Sequence, residues 1–301
     1  MTTRAGYRIW VPLIILWIVW GSTYVGIALQ GQSMPPLLSN GTRLIIAGLA
    51  LAGGVALSGK GRLLRITRAQ LRSVGILGVG LMGVGIGTLV LAERYVPSSV
   101  AALIVSSIPL WIVLLRAVSG DRPRAMTWVG IVIGLAGLGL MLLPGGSKPV
   151  TGTSMDVLVW SCAIVASSFV WALVSFRSQT FDMPSNSLVS AAYELVVGGA
   201  ALTLLGVFLG DRPNFSHFTA VSDYAWLYMV IASIVGYGCY SYLLANAPIS
   251  LLSTYAYVNP GVAVLLGFLI LGEPISRSVA IGLTVVVGGV VLVVSGERRR
   301  T

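Results

Sequence analysis

Arg43 and Glu194 are the ionisable residues that draw attention first, because each falls inside a long apolar run. A charge at membrane depth costs about 2.5–3.5 kcal/mol on insertion scales and marks a functional site by default. One guanidinium and one carboxylate could hold the two ends of a zwitterionic solute, or pair as part of a gate. Snorkelling to the interface is the plain alternative for each. Trp17, Trp20 and Tyr24 are spaced three and four apart, so they share one helix face. Tyr237 with Tyr240, and Tyr255 with Asn259, repeat that spacing. Tyrosine hydroxyls at mid-depth need partners, so these side chains are expected to face the interior. An aromatic lining with a few hydroxyls suits amino acids with apolar or aromatic side chains; ordinary interhelical packing is the bland alternative. Pro109 and Pro260 fall near the middle of two apolar runs, where proline frees the carbonyls of Val105 and Ala256 and makes hinges. Ser106, Ser107, Ser253 and Thr254 stand beside them as polar lining.

Other chemistries lack their parts. With one histidine, His217, neither a metal cluster nor a Ser-His-Asp arrangement can be assembled. Cys162 and Cys239 each sit in an apolar run with no nearby ligand partner, and read as small buried residues. No P-loop lysine follows a glycine cluster. The chain is therefore expected to be neither an enzyme nor a cofactor protein. Its formal charge of +10 suggests nucleic acid only until the basic residues are placed.

The elements that position these residues follow from composition. The chain is 56% hydrophobic and 9% charged, where a soluble domain carries about 25% charged residues. Most of its surface must face lipid. Runs near the 20 residues that cross a bilayer lie at Ile9–Leu29, Pro36–Leu57, Leu71–Ala92, Pro97–Val118, Arg124–Leu143, Met155–Phe176, Pro184–Leu209, Ser222–Ala245, Pro248–Leu271 and Arg277–Ser295. Turn and charge signals separate them, among them Gly120–Asp121–Arg122–Pro123 and Gly210–Asp211–Arg212–Pro213. Only Arg94, Lys148, Arg212 and Arg277 of the 19 basic residues fall on the side opposite the N-terminus. Both termini are thus expected to be cytoplasmic. Tyr7, Trp10, Tyr95, Trp128, Trp160, Tyr224 and Trp226 lie near span ends as interfacial anchors.

Sliding the chain by 151 residues superposes Pro97 on Pro248, Pro109 on Pro260, Pro123 on Pro274, Trp20 on Trp171 and Gly48 on Gly199, and brings Arg43 onto Glu194. The expected fold is an all-α membrane protein of ten transmembrane helices, built as two five-helix repeats over residues 1–150 and 151–301. An odd helix number per repeat inverts the second copy, an arrangement suited to alternating access. Gly83-x-x-x-Gly87 and Gly130-x-x-x-Gly134 are close-packing patterns, the second a candidate dimer face. The residues leave monomer and homodimer both open.

The segments Trp20–Gly21–Ser22–Thr23, Thr42–Arg43–Leu44, Ser98–Ser99–Val100–Ala101–Ala102 with Pro109, and Gly272–Glu273–Pro274 resemble the duplicated EamA-type domain of the drug/metabolite transporter superfamily. Within it the chain looks most like the YddG-type amino-acid exporters. The resemblance implies an inner-membrane carrier that exports amino acids or similar metabolites. The second half departs from the pattern, with Trp171–Ala172–Leu173 where the first has Trp20–Gly21–Ser22. Export of drugs or organic cations is the runner-up, followed by a non-transporting receptor and an intramembrane enzyme. Glu194 is the expected proton carrier if transport is coupled; uncoupled facilitation is equally open.

Overall fold

The computed structural model describes residues 3–120, 125–142, 149–247, 252 and 255–298. Ser253, Thr254, Pro248 and Pro123, named above, lie outside them. All regular structure among the described residues is helical. The helices are α1 (Thr3–Gln30), α2 (Pro36–Val55), α3 (Arg68–Ala92), α4 (Ser98–Val118), α5 (Ala125–Leu142), α6 (Ser154–Ser178), α7 (Ser187–Phe208), α8 (Ala220–Asn246), α9 (255–271) and α10 (Arg277–Arg298). Seven of the described helices, α1–α4 and α6–α8, are long and apolar enough to cross a bilayer. The apolar stretches Ala125–Gly137, Val258–Leu271 and Val279–Gly289 of α5, α9 and α10 are shorter. Large apolar side chains such as Leu49, Val132, Val159, Leu204 and Leu269 stand exposed on the outside. Lipid is the surrounding that such a surface fits.

Helix starts are set locally. Thr67 and Gln70 form a reciprocal capping box at α3, and Thr153 with Asp156 does the same at α6. The Asn186 side chain accepts from the amides of Leu188 and Val189 at α7. Besides α9, which ends in a π turn over Gly267–Leu271, two helices depart from regularity. α3 widens to π geometry over Gly78–Ile86, a glycine-rich stretch. α4 is interrupted at Ser106–Ser107, so Pro109 opens a second helical segment, Ile108–Val118, instead of kinking a continuous one. α9 runs unbroken through Pro260 from Tyr255 to Leu266.

Packing pairs α2 with α7 and α5 with α10, lays α1 against α8 and α9, and sets α3 against α6 and α7. Bare backbone permits the closest of these approaches. A Cβ on Gly199 would lie 2.7 Å from the Gly41 carbonyl, and one on Gly48 2.7 Å from the Ala192 carbonyl. The Gly130 pattern is used inside the chain: a Cβ on Gly289 of α10 would meet the Gly134 nitrogen at 2.6 Å and the Gly130 carbonyl at 2.8 Å. That corrects its reading as a dimer face. Both thiols are free, and Cys162 is exposed on α6 where burial was expected. Replacing Gly199 by leucine should overpack the α2/α7 crossing and cost about 1–3 kcal/mol. A lowered thermal midpoint of the purified protein in detergent checks this, against an unchanged midpoint for Gly53→Ala, where a Cβ meets nothing within 4 Å.

Candidate functional site

The aromatic residues of α1, α8 and α9 converge on one indole. Trp20 stacks on Tyr240 with ring centroids 5.2 Å apart and meets Tyr237 (5.6 Å) and Tyr255 (5.2 Å) edge-on. Offset-stacked and edge-to-face pairs are the geometries that the aromatic quadrupole favours. A layer of Leu13, Leu16, Leu243 and Leu252 lies against this cluster, toward the α1 N-terminus, with Trp17 and Cys239 at its margin. Trp17 turns toward Trp10, 6.3 Å away. Asn259 ties α9 to α1: with its amide nitrogen facing inward it donates to the carbonyls of Tyr255 and Trp17, each at 3.2 Å.

Arg43 borders the same space from α2. It is 3% exposed, and its Nε donates to Asn40 Oδ1 (2.7 Å) and its Nη1 to Ser233 Oγ (2.8 Å) of α8. Ser233 in turn donates to the Met229 carbonyl. Those bonds engage two of the guanidinium nitrogens and leave Nη2 to meet a carboxylate. Tyr237 lies within electrostatic reach of both Arg43 and Glu194, and its hydroxyl reaches the Met82 sulfur at 3.1 Å. Glu194 is buried on α7, beside the place where Gly78 presses on its backbone. Arg43 bonds to Asn40 and Ser233 and not to Glu194, so the two symmetry-related charges flank Tyr237 without pairing.

Ser106 and Ser107 serve the α4 break. The Ser106 hydroxyl donates to the Leu103 carbonyl at 2.6 Å, and Ser107 Oγ accepts from the Trp111 indole at 3.1 Å. Tyr255 connects this region to the cage, since it packs against both the Leu110–Val113–Ile131 cluster and the leucine layer. Tyr24 lies one turn beyond Trp20 on α1, 8% exposed, in a separate apolar cluster with Ile27, Leu89 and Val90.

Three carboxylates follow the ends of α3, α7 and α9. α9 closes on Gly272 in the left-handed region (φ 66°), and the next residue, Glu273, caps the start of α4. Its Oε1 accepts from the Ser98 amide (2.8 Å) and hydroxyl (2.9 Å), and its Oε2 from the Ser99 amide (3.1 Å) and hydroxyl (2.6 Å). α7 ends the same way: Gly210 is left-handed (φ 88°), and Asp211 Oδ2 accepts from the Leu37 and Leu38 amides at the start of α2 (3.0 and 3.1 Å). An anion at a helix N-terminus satisfies orphan donors and complements the dipole. Glu93 is different. It is 6% exposed, and neither carboxylate oxygen has a hydrogen-bond partner among the described residues.

The sequence did not point to Glu93, because Glu93–Arg94 reads as the polar edge of the third span, nor to Asn40 and Ser233. Trp226 also exceeds its reading as an interfacial anchor, since its indole donates to the Ser39 carbonyl at 2.9 Å. Tyr7 and Tyr224 are largely exposed, as anchors should be.

An apolar-surfaced helical bundle with buried charges and an aromatic cage is a multi-pass membrane protein. The chain belongs to the EamA-like transporter family, within the drug/metabolite transporter superfamily, whose sequence pattern matches it twice, over residues 8–143 and 158–295. It is 35% identical to the inner membrane transporter YedA of Escherichia coli K12 over 95% of this chain and 90% of that one. It is 28% identical to protein PecM of Dickeya dadantii (91% and 88% of the chains). It is 24% identical to a probable terminal-alkyne amino-acid exporter of Streptantibioticus cattleyicolor (93% and 91%). A solved crystal structure, 21% identical, superposes with a TM-score of 0.68 over 97% of this chain and 98% of that one, a likeness of fold. Truncating Glu273 to alanine would strip four donors of their acceptor. It should cost at least about 2 kcal/mol, read as a lowered thermal midpoint, with Glu273→Gln between it and the parent.

Proposed function

We propose that this transporter exports amino acids with apolar or aromatic side chains, or closely similar metabolites, across the cytoplasmic membrane by alternating access. The observation that carries the reading is the Trp20–Tyr237–Tyr240–Tyr255 cage beside the partly engaged guanidinium of Arg43. A cage of rings takes an apolar or aromatic side chain, and Arg43 Nη2 offers a charge-assisted donor for its carboxylate. Glu194, across Tyr237, supplies a counter-charge for the ammonium. The name of the Streptantibioticus relative supports the substrate class, and that of YedA the membrane.

The architecture proposed with it is ten spans in two inverted five-helix repeats, residues 1–150 and 151–301, with both termini cytoplasmic. The contact pattern favours it. Advancing each helix by five positions turns α1 against α8 into α6 against α3, turns α3 against α7 into α8 against α2, and maps α2/α7 and α5/α10 onto themselves. α4 is broken at Ser106–Ser107 and α9 carries Pro260, so Pro109 and Pro260 are proposed as the paired bending points.

An aromatic cage also accepts organic cations through cation–π contacts, and one experiment separates the two readings. Protein in liposomes should exchange labelled leucine or phenylalanine. Trp20→Ala should weaken apparent affinity roughly threefold to tenfold, and Arg43→Ala more than about thirtyfold. Cation flux that survives Arg43→Ala, with no flux of any amino acid through the parent protein, would overturn the amino-acid reading.

A further inference from the structure

Glu93 is the buried ionisable group that the cage does not use. It follows the last residue of α3 and is enclosed by three elements that bring charge or a titratable group. These are Tyr24 from α1, Arg43 from α2 and Glu273 from the turn after α9, all within its electrostatic reach. α6 contributes Val157, Trp160 and Ile164 to the cluster around this end of α3, and its Asp156 is held by the Thr153 amide and hydroxyl.

Several of the donors in this region are engaged elsewhere. Arg43 gives Nε and Nη1 to Asn40 and Ser233, and Ser98 and Ser99 give amides and hydroxyls to Glu273. Neither oxygen of Glu93 is hydrogen-bonded among the described residues. A bare carboxylate so placed costs several kcal/mol, whereas the neutral acid loses only the hydration of a polar group. Native proteins rarely keep an orphaned buried carboxyl without a use for it.

We propose that Glu93 is a proton-binding carboxyl whose charge decides whether Arg43 is available to the transported solute, a role that rests on the transport reading above. With Glu93 protonated, it brings no negative charge to Arg43, and the guanidinium can receive the carboxylate of an amino acid. Loss of the proton to water leaves an anion that draws Arg43 toward itself and repels both the solute carboxylate and the Glu273 clasp. The step transfers one proton between water and a carboxyl oxygen and requires no other reactant. Solute affinity therefore falls as pH rises.

Two measurements on the full-length protein in liposomes test this, and only the second needs a substrate. In an infrared pH titration, the carboxylic C=O band of the parent protein should fade as pH rises, Glu93→Gln should lack a component of that band, and Glu194→Gln should keep it. A Glu93→Gln spectrum identical to the parent's overturns the proposal. If Glu93→Gln does not fold, Glu93→Asp keeps the carboxyl and should shift the band; an unshifted band is equally fatal. In leucine exchange, apparent affinity should weaken about tenfold from acid to alkaline pH in the parent, and less than about twofold in Glu93→Gln. Equal pH dependence in both overturns the link to Arg43. Absence of any solute flux in the parent sinks the transport reading, and the infrared titration then decides the proton site by itself.

Discussion

A hydrocarbon core offers no hydrogen-bond partner, so every polar group that faces it or lies within the bundle must be answered by the chain itself. Four free amides at each helix start make those starts the most demanding places. At α2 and α4 the answer comes from far along the sequence: Asp211 reaches the amides of Leu37 and Leu38, and Glu273 reaches those of Ser98 and Ser99. These carboxylates do more than cap. Each ties the end of one helix in the second EamA repeat to the start of another in the first, so the two repeats are joined through backbone donors that have no other partner.

The same constraint shapes the interior. Arg43 is tolerated at 3% exposure because Asn40, one turn earlier on its own helix, and Ser233 across the interface accept from it. Trp20 packs its indole among three tyrosine rings, and Asn259 answers backbone carbonyls on two helices at once. These contacts draw α1, α2, α8 and α9 around one aromatic centre bordered by charge. On the proposed reading, a solute entering there would replace protein contacts with its own, and a carrier needs that exchange to be close to even.

Much of this was legible in the sequence. The helical membrane class followed from missing charge and from run length, and the internal repeat from prolines in register. Mid-depth tyrosines were expected to face the interior; that Tyr237, Tyr240 and Tyr255 meet on Trp20 is visible only in the fold. The signals that failed were those of depth and distance. Glu93 reads as an interface because Arg94 follows it, yet neighbouring helices bury it. Gly272–Glu273–Pro274 and Ser98–Ser99 were visible as separate family segments, but a contact across 175 residues has no local signature. Pro109 read as a kink, and the helix instead stops at Ser106–Ser107, since a proline near a helix start needs no displaced carbonyl.

The carboxylate ties also break the symmetry that the repeat creates. Under the shift of 151 residues, Asp211 falls on Lys60 and Glu273 on Arg122. A lysine or arginine side chain has donors and no acceptor, so neither can take the place of an aspartate or glutamate at a helix N-terminus. The ties thus exist at the end where α7 and α9 finish and have no counterpart built from the equivalent positions at the other end. If the two repeats exchange conformations during transport, the openings at the two ends are unequal in free energy. One requires amides of α2 and α4 to lose charge-assisted bonds, each stronger than a neutral one, and the other does not. On that alternating-access reading, a chain assembled from two like halves would acquire a preferred state at rest, through the exchange of two basic residues for two acidic ones.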